Sequence, residues 1–433
     1  MAWDFSTEPD FQEKLDWAAA FVRAEVEMLD LEYPELHYTV PTGALKERVD
    51  PLKQQVRDAG LWAAHLGPEL GGNGYGQVKL ALLNEILGRS EWGPTIFGTQ
   101  APDTGNAEIL AHYGTPEQKA RFLQPLLDGE IFSCYSMTEP QGGADPGQFR
   151  TRARRDGDDW VIDGFKFFSS NARGAEFFIT MVVTDPTEPP QRGFSMFLIP
   201  ADTPGLSIVR DIGLGGEPYG HGLHGLVRYD GVRVPADALL GTEGGGFAVA
   251  QTRLGGGRVH HAMRTVGLCN RIFDMLCERA VSRTTKGSLL SEKQAVQAFI
   301  ADSYVQIQQF RLLVLHAAWT IDADGGSRAA RQEIAAAKIA APQVLHDVVT
   351  RAIQVHGALG ISNELPLWRW LQQVYVVGFS DGPAEVHRTQ LSKLVLREQA
   401  PAPGLYPSEH IPTRLQLVPD DITEALERHA GIR

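Results

Sequence analysis

The apolar period of this 433-residue chain changes twice along its length, and that order excludes most folds. Across residues 10–30 the apolar side chains Phe11, Leu15, Ala18, Ala19, Val22 and Val26 recur at helical spacing. Further helices are predicted over 45–59, stopped by Gly60, and over about 77–87, stopped by Gly88. Thr115-Pro116-Glu117-Gln118 reads as an N-cap, a proline at the first helical position and a first-turn acid, so another helix follows. Near Phe132 the period drops to two or becomes continuous. The runs 160–162, 177–183, 194–199, 206–209 and 226–234, broken by Gly, Pro and Asp, predict an antiparallel β domain. After Gly246 the helical period returns, with helices expected at about 247–282, 291–322, 328–357 and 383–397. The first of these is expected to be interrupted or entered through Gly255-Gly256-Gly257. A tail rich in proline and polar residues follows, with a last helix near 421–429. Such an order is α+β with a segregated sheet, not an alternating βαβ fold. The expected boundaries are an all-α domain at 1–131, a β domain at 132–241, a helical bundle at 242–400 and a tail at 401–433.

Composition narrows the function classes. Forty Lys and Arg against 53 Asp and Glu leave a net charge of −13, which argues against nucleic acid as a partner. Cys134, Cys269 and Cys277 are odd in number and follow no C-x-x-C or zinc spacing, so free thiols in a reducing compartment are expected. No apolar run approaches the ~18 residues of a membrane span. The first ten residues are acidic and lack the basic and apolar regions of a targeting peptide. These features predict a soluble cytoplasmic protein.

Several motifs have bland readings that win. Gly220-His221-Gly222-Leu223-His224-Gly225 has the G-x-G-x-x-G spacing of a dinucleotide loop. That reading requires a helix afterwards, and Leu226-Val227-Arg228-Tyr229 looks like a strand. No phosphate-binding G-x-x-x-x-G-K-[ST] is present. His221, His224, His260 and His261 lack a carboxylate or cysteine at metal spacing, so no metal is expected.

Three segments differ. Tyr135-Ser136-Met137-Thr138-Glu139-Pro140-Gln141-Gly142-Gly143-Ala144-Asp145 joins hydroxyls to a glycine turn, where backbone N–H groups can approach a polar ring edge. Lys166-Phe167-Phe168-Ser169-Ser170-Asn171 offers an aromatic and two hydroxyls to one face of a flat cofactor, or is a plain strand end. Asp381, before Gly382-Pro383, is either a turn aspartate or a carboxylate held among Val376, Val377 and Phe379.

Taken in order over about residues 10–398, these segments resemble the acyl-CoA dehydrogenase family. Tyr135 to Asp145 is similar to its flavin-binding signature, and the 166–171 segment to the stretch beside the flavin ring. Phe247 to Arg258 resembles the start of its C-terminal bundle, with Arg258 at a characteristic arginine. Ser282-Arg283-Thr284-Thr285-Lys286-Gly287 resembles the motif whose arginine reaches the flavin diphosphate of a neighbouring subunit. Gln354 to Gly360 resembles a glycine-rich turn, and Asp381-Gly382 falls where the catalytic Glu-Gly usually lies. The resemblance implies an N-terminal helical domain, a central β domain and a C-terminal four-helix bundle. It also implies an FAD site formed by Tyr135, Met137, Thr138, Gly143, Ala144, Phe168, Ser169, Ser170, Arg283, Lys286, Gln354, Gly357, Pro383 and Glu385. Substrate contacts fall to Ala144, Gly255, Arg258 and Gly382.

Four departures bear on the substrate. Asp381 is one methylene shorter than the usual Glu. Ala144 replaces a frequent serine, the Gly255–257 run replaces a polar stretch along the CoA chain, and Ala358 breaks a double glycine. Asp at the base position is similar to one branch of the family and to nitroalkane oxidase, a relative that does not use CoA esters. The implied reaction is α,β-desaturation of a fatty acyl-CoA, with Asp381 taking the α-proton and flavin N5 the β-hydride. An exposed Asp, with a pKa near ~3.9, is a weak base, so the site is expected to desolvate Asp381 and raise that value. The resemblance also implies an electron-transfer flavoprotein as acceptor and a homodimer or homotetramer. The alternatives are a flavin oxidase or monooxygenase acting on a nitroalkane-like substrate, and a non-catalytic acyl-CoA- or flavin-binding protein.

Overall fold

The computed structural model describes residues 4–417 apart from 35, 38, 71, 216 and 325, and in the tail only 422, 424, 425, 428, 429 and 431. The chain divides into two compact units, Met1–Arg388 and Thr389–Arg433.

In the first unit helices precede the sheet. α1 (Pro9–Phe21) continues through a π turn at Val22–Val26 into Glu27–Glu32. α2 (Gly43–Asp58), α3 (Gly76–Leu87) and α4 (Asp103–Tyr113) follow. Phe11, Leu15, Val49, Val56, Leu83 and Trp92 form one buried cluster of this region. Thr115 caps the predicted helix, and Gln118 closes a capping box with it.

The eight strands of the main sheet are β1 (Ser133–Ser136), β2 (Arg152–Asp156), β3 (Asp159–Ser170), β4 (Phe177–Val183), β5 (Phe194–Pro200), β6 (Leu206–Ile212), β7 (His224–Val234) and β8 (Leu239–Leu240). Their order is β6-β7-β3-β1-β4-β5-β8, with β2 pairing β3 and β4 off that path. The sheet is antiparallel except beside β4, where β1 and the end of β2 run parallel. One face packs Phe177, Ile179 and Met181 against helices of the N-terminal region. The other buries Phe178, Trp160, Phe197 and Val227. Gly220 to Gly225 leads into β7, so the glycine loop enters a strand.

The second helical region comprises α5 (Gly246–Ser282), α6 (Gln294–Asp324), α7 (Arg331–His356), α8 (Leu367–Phe379) and α9 (Ala384–Arg397). Val259, Val266, Ile272, Leu315, Val349 and Trp370 belong to its core. Contrary to the expected break, α5 runs unbroken through Gly255-Gly256-Gly257. Each interior glycine costs about 1 kcal/mol relative to alanine; at Gly255 close packing leaves no room for a larger residue. A Cβ at Gly255 would lie 2.5 Å from Ser327 Oγ. Likewise, a Cβ at Gly267 would lie 2.0 Å from the Glu85 carbonyl oxygen, so α5 and α3 cross at backbone contact. No described helix is long and apolar enough to cross a membrane.

The unit from Thr389 onward holds the rest of α9 and a short helix at Ile411–Leu415. Much of the helix expected at 421–429 falls outside the described residues.

Two imidazoles give the fold a pH dependence. Burial, helped by Arg264, pushes His65 down to about 4 and His260 to about 3. Both ring nitrogens of His65 are buried without a hydrogen-bond partner among the described residues. The folded state therefore resists protonation that the unfolded chain accepts below the ordinary 6.5. Their stability contribution is complete above that value and is lost as pH falls toward 4, by about 2 kcal/mol each at pH 5. Calorimetry at pH 7.5 and 5.0 should show a drop in Tm, and His65→Leu should shrink it.

Candidate active site

α8 ends at Phe379, Ser380 is its extended C-cap, and the next residue adopts a left-handed conformation. Asp381 has φ 56° and Gly382 has φ 100°. Asp tolerates this region better than a branched residue. Pro383 then leads into α9. Three side chains from three helices hold the turn. Arg258 Nε of α5 donates to the Asp381 carbonyl oxygen at 3.1 Å. His387 Nε2 of α9 lies 3.4 Å from the same oxygen. Lys338 of α7 is 3% exposed, and its Nζ donates to the Val377 carbonyl at 2.7 Å and the Ser380 carbonyl at 2.8 Å. It thereby satisfies orphan carbonyls at the C-terminus of α8.

The Asp381 carboxylate is 21% exposed and lies 3.8 Å from His261 Nε2. Burial works against its charge, but His261, Arg253, Lys338 and Arg258 outweigh burial and hold the carboxyl below its ordinary range. This corrects the expectation of a raised value. The sequence shows the apolar Val376, Val377 and Phe379 but not the cations that folding brings to the turn. Lys338 itself is pushed down to about 8 by burial, against the pull of Asp381.

Lys338→Met should loosen this turn. Mispositioning of a reacting group by about 1 Å can cost roughly 10²-fold. Turnover that depends on Asp381 should fall by about that factor, measured by steady-state rates beside wild type. Wild-type turnover in that variant would contradict the anchoring role.

On the sheet side, Lys166 Nζ contacts Glu139 Oε1 at 2.8 Å, with side chains 0% and 2% exposed. The same ammonium donates to the Met137 carbonyl at 2.8 Å, and Glu139 also accepts from the Arg150 and Thr151 N–H groups. This pair fastens the Tyr135–Asp145 segment to β3. Phe167 N–H donates to the Thr138 carbonyl at 2.8 Å, which joins the two segments directly. Gly143 and Ala144 are exposed on the turn. Phe168 adopts φ 53° and stays 44% exposed, its ring edge-on to Phe167 and His224. Ser169 is buried against Ser136, and Ser170 Oγ lies 2.9 Å from His224 Nδ1. The Arg253 guanidinium lies 3.8 Å over the Tyr135 ring, and Arg253 and Asp381 each act on the other's surroundings. Burial raises the Tyr135 hydroxyl to about 12.

Other expected site residues stand apart from this cluster. Arg283 and Lys286 lie on an exposed hairpin after α5, roughly 37 Å along the helix axis from Arg258. Gln354 and Gly357 are exposed at the C-terminal end of α7, where Gly357 takes φ 65°. Glu385 is exposed and pairs with Arg388. Gly382 shares the Asp381 turn, whereas Gly255 is buried against Ser327.

Sequence reasoning missed Lys338, Arg253 and the orientation of His261. Signals existed for two of them. Lys338 interrupts an alanine-rich apolar stretch, and His261 follows Arg258 by three positions, on one helix face.

Comparison with known proteins agrees with this architecture. The family models "Acyl-CoA dehydrogenase, N-terminal domain", "middle domain" and "C-terminal domain" match residues 8–130, 134–222 and 244–396. FadE2 of Mycobacterium tuberculosis is 42% identical over 355 residues, covering 81% of this chain and 86% of its own. Acyl-CoA dehydrogenase family member 11 of Rattus norvegicus is 41% identical over 81% of this chain, which spans only 45% of that longer protein. A solved structure of this type from Mycobacterium abscessus superposes with a TM-score of 0.83 at 38% identity, covering 91% of this chain and 100% of the other. Butyryl-CoA dehydrogenase from Megasphaera elsdenii gives 0.78 at 25% identity, covering 91% and 100%. The three family models, which together match most of the chain, and the 42% identity to FadE2 place this chain in the acyl-CoA dehydrogenase family.

Proposed function

We propose that the chain catalyses α,β-dehydrogenation of a fatty acyl-CoA thioester to the trans-2-enoyl-CoA, with Asp381 as the α-proton base. The observation that carries this reading is the Asp381 turn. The backbone of this left-handed turn is held by Arg258 and His387 at the Asp381 carbonyl and by Lys338 at the Ser380 carbonyl, and the carboxylate oxygens are left free of those contacts.

The residues present fit a flavin. Phe168, near the end of β3, offers an aromatic face 44% exposed that a flat ring would cover. Thr138 and Ser170 supply hydroxyls beside it, and the Gly142-Gly143 turn leaves room for backbone approach. Met137, Thr138, Phe168 and Ser170 would hold the ring of FAD, with Tyr135, Ser169 and Pro383 around them. Arg283, Lys286, Gln354 and Gly357, remote from the turn, would serve the FAD of another copy in a homodimer or homotetramer. When bound, FAD supplies the acceptor for the β-hydride.

The chain's own part is positional and electrostatic. Asp381 receives the α-proton, and Arg258 keeps its backbone from shifting as it does so. A thioester entering the cleft excludes water from the carboxylate, which strengthens it as a base. The thioester carbonyl is polarised by the Asp381 backbone N–H, a donor whose loss in comparable sites costs about 10²–10³ in rate. An electron-transfer flavoprotein takes the electrons afterwards, and the reaction belongs to cytoplasmic fatty acid metabolism.

The test is product analysis with a panel of acyl-CoA thioesters and a one-electron acceptor dye. The expected product is an enoyl-CoA two hydrogens lighter than its substrate. Oxygen uptake with nitroalkanes and no enoyl-CoA would favour the oxidase reading. Flavin binding without turnover on either substrate would favour a binding protein.

A further inference from the structure

We infer that His261 is the second half of the base: its imidazole receives from Asp381 the proton that Asp381 removes from the substrate. The inference rests on the assignment of Asp381 as the base and extends it to a residue with no assigned role.

Three observations carry it. First, Arg258 and His261 lie three positions apart on α5 and approach the same turn from one helix face. Arg258 grips the Asp381 carbonyl, and His261 Nε2 faces the carboxylate at 3.8 Å. That separation is an ion-pair distance, and closing it to a hydrogen bond needs less than about 1 Å. Catalytic hydrogen bonds are often this long before substrate binds. Second, His261 is not packed as a core histidine. Its neighbours Val259 and Ala262 are core residues at 0% and 1% exposure, and His260 is spent on Gln77. The His261 side chain remains 36% exposed, which gives a proton a way out. Third, the surroundings favour an anionic Asp381: Arg253 and Arg258 of α5 and Lys338 of α7 join His261 in holding its carboxyl ionised, while the Tyr135 hydroxyl of β1 and His387 of α9 also feel its charge. Burial, with Arg264, Lys338 and Arg253 and against the pull of Asp381, holds the imidazole at about 4, so it begins neutral, as an acceptor must.

The step balances without another reagent. The α-C–H bond breaks and an O–H bond forms at Asp381, while the β-hydride leaves for FAD. The O–H bond then breaks as N–H forms at His261 Nε2. The pair passes from one negative charge to a neutral carboxylate–imidazolium pair. Release of the proton to solvent restores it.

The decisive probe is a thioester with sulfur in place of the β-carbon, which can lose its α-proton but has no hydride to give. Nitrogen-15 spectra of histidine-labelled wild-type holoenzyme are recorded with and without it, and His261 is assigned by its absence in His261→Gln. The expected result is a shift of the His261 ring nitrogens to imidazolium positions on binding. A ring that stays neutral overturns the inference. In a second measurement, anaerobic bleaching of His261→Gln by butyryl-CoA should slow by roughly 10- to 100-fold. Thioester affinity should stay within about twofold, and the acid limb of the pH profile should move. A rate and pH profile equal to wild type overturn the inference. Asp381→Asn separates the two claims. If that variant bleaches at the wild-type rate, the base assignment itself falls. If it is inactive while His261→Gln behaves as wild type, only the role of His261 falls.

Discussion

Asp381→Asn should keep FAD bound and lower the rate of anaerobic flavin bleaching by about 10³-fold or more. The side chains are nearly isosteric, and the contacts that hold the turn use the residue 381 carbonyl rather than its carboxylate. Asn also tolerates the left-handed conformation seen at φ 56°. The fold and the cofactor surface should therefore survive. What disappears is the proton acceptor, a contribution typically worth about 10²–10⁴-fold. The amide also leaves Arg253, Arg258 and Lys338 without the charge they surround. Stopped-flow absorbance measures the effect. Retention of more than about a tenth of the wild-type rate would contradict the assignment.

The second large effect lies in the sheet. Lys166→Met should cost about 3–5 kcal/mol, because it strands the Glu139 carboxylate in a buried site. Glu139 is held below its usual carboxylate range although burial opposes the charge, and Lys166 is the principal reason. The Arg150 and Thr151 N–H groups would remain but cannot neutralise it. For a chain of this size the loss corresponds to a Tm lower by about 3–5 °C if unfolding is one cooperative step. Because Lys166 also holds the Met137 carbonyl, FAD retention should fall with stability. Adding Glu139→Gln should recover most of the loss, since the buried charge is then gone. Calorimetry of the two single variants and the double variant checks this. Additive losses in the double variant would reject the pairing.

Much of this architecture was legible because local period and packing agree. The switch from helical spacing to strands near Phe132, and back after Gly246, survives in the structure almost to the residue. Shorter or less regular elements escaped. β1 (Ser133–Ser136) is four residues with two serines, and its pairing with β4 is parallel, which no local pattern signals. α4 was missed because Asp103, Asn106 and other polar groups are buried in it. Asp103 is spent on the Ser133 N–H and hydroxyl rather than on solvent. The start of α3 carries no local N-cap, because Asp322 of α6 supplies one to the Gln77 and Val78 N–H groups. α8 has apolar spacing, but the sequence reading gave it no helix.

The site divides in the same way. Asp381, the Thr138 turn and Phe168 were visible because each sits in a recognisable string. The cations around Asp381 come from α5 and α7, and only folding brings them together. Their presence reverses the expected direction of the Asp381 shift.

The most direct test of the account is an anaerobic visible-spectrum titration of the flavin-loaded protein with a panel of short, long and branched acyl-CoA thioesters. Bleaching of the flavin by one class, stoichiometric with enoyl-CoA, is the predicted result. A yellow protein whose spectrum no thioester bleaches would contradict it.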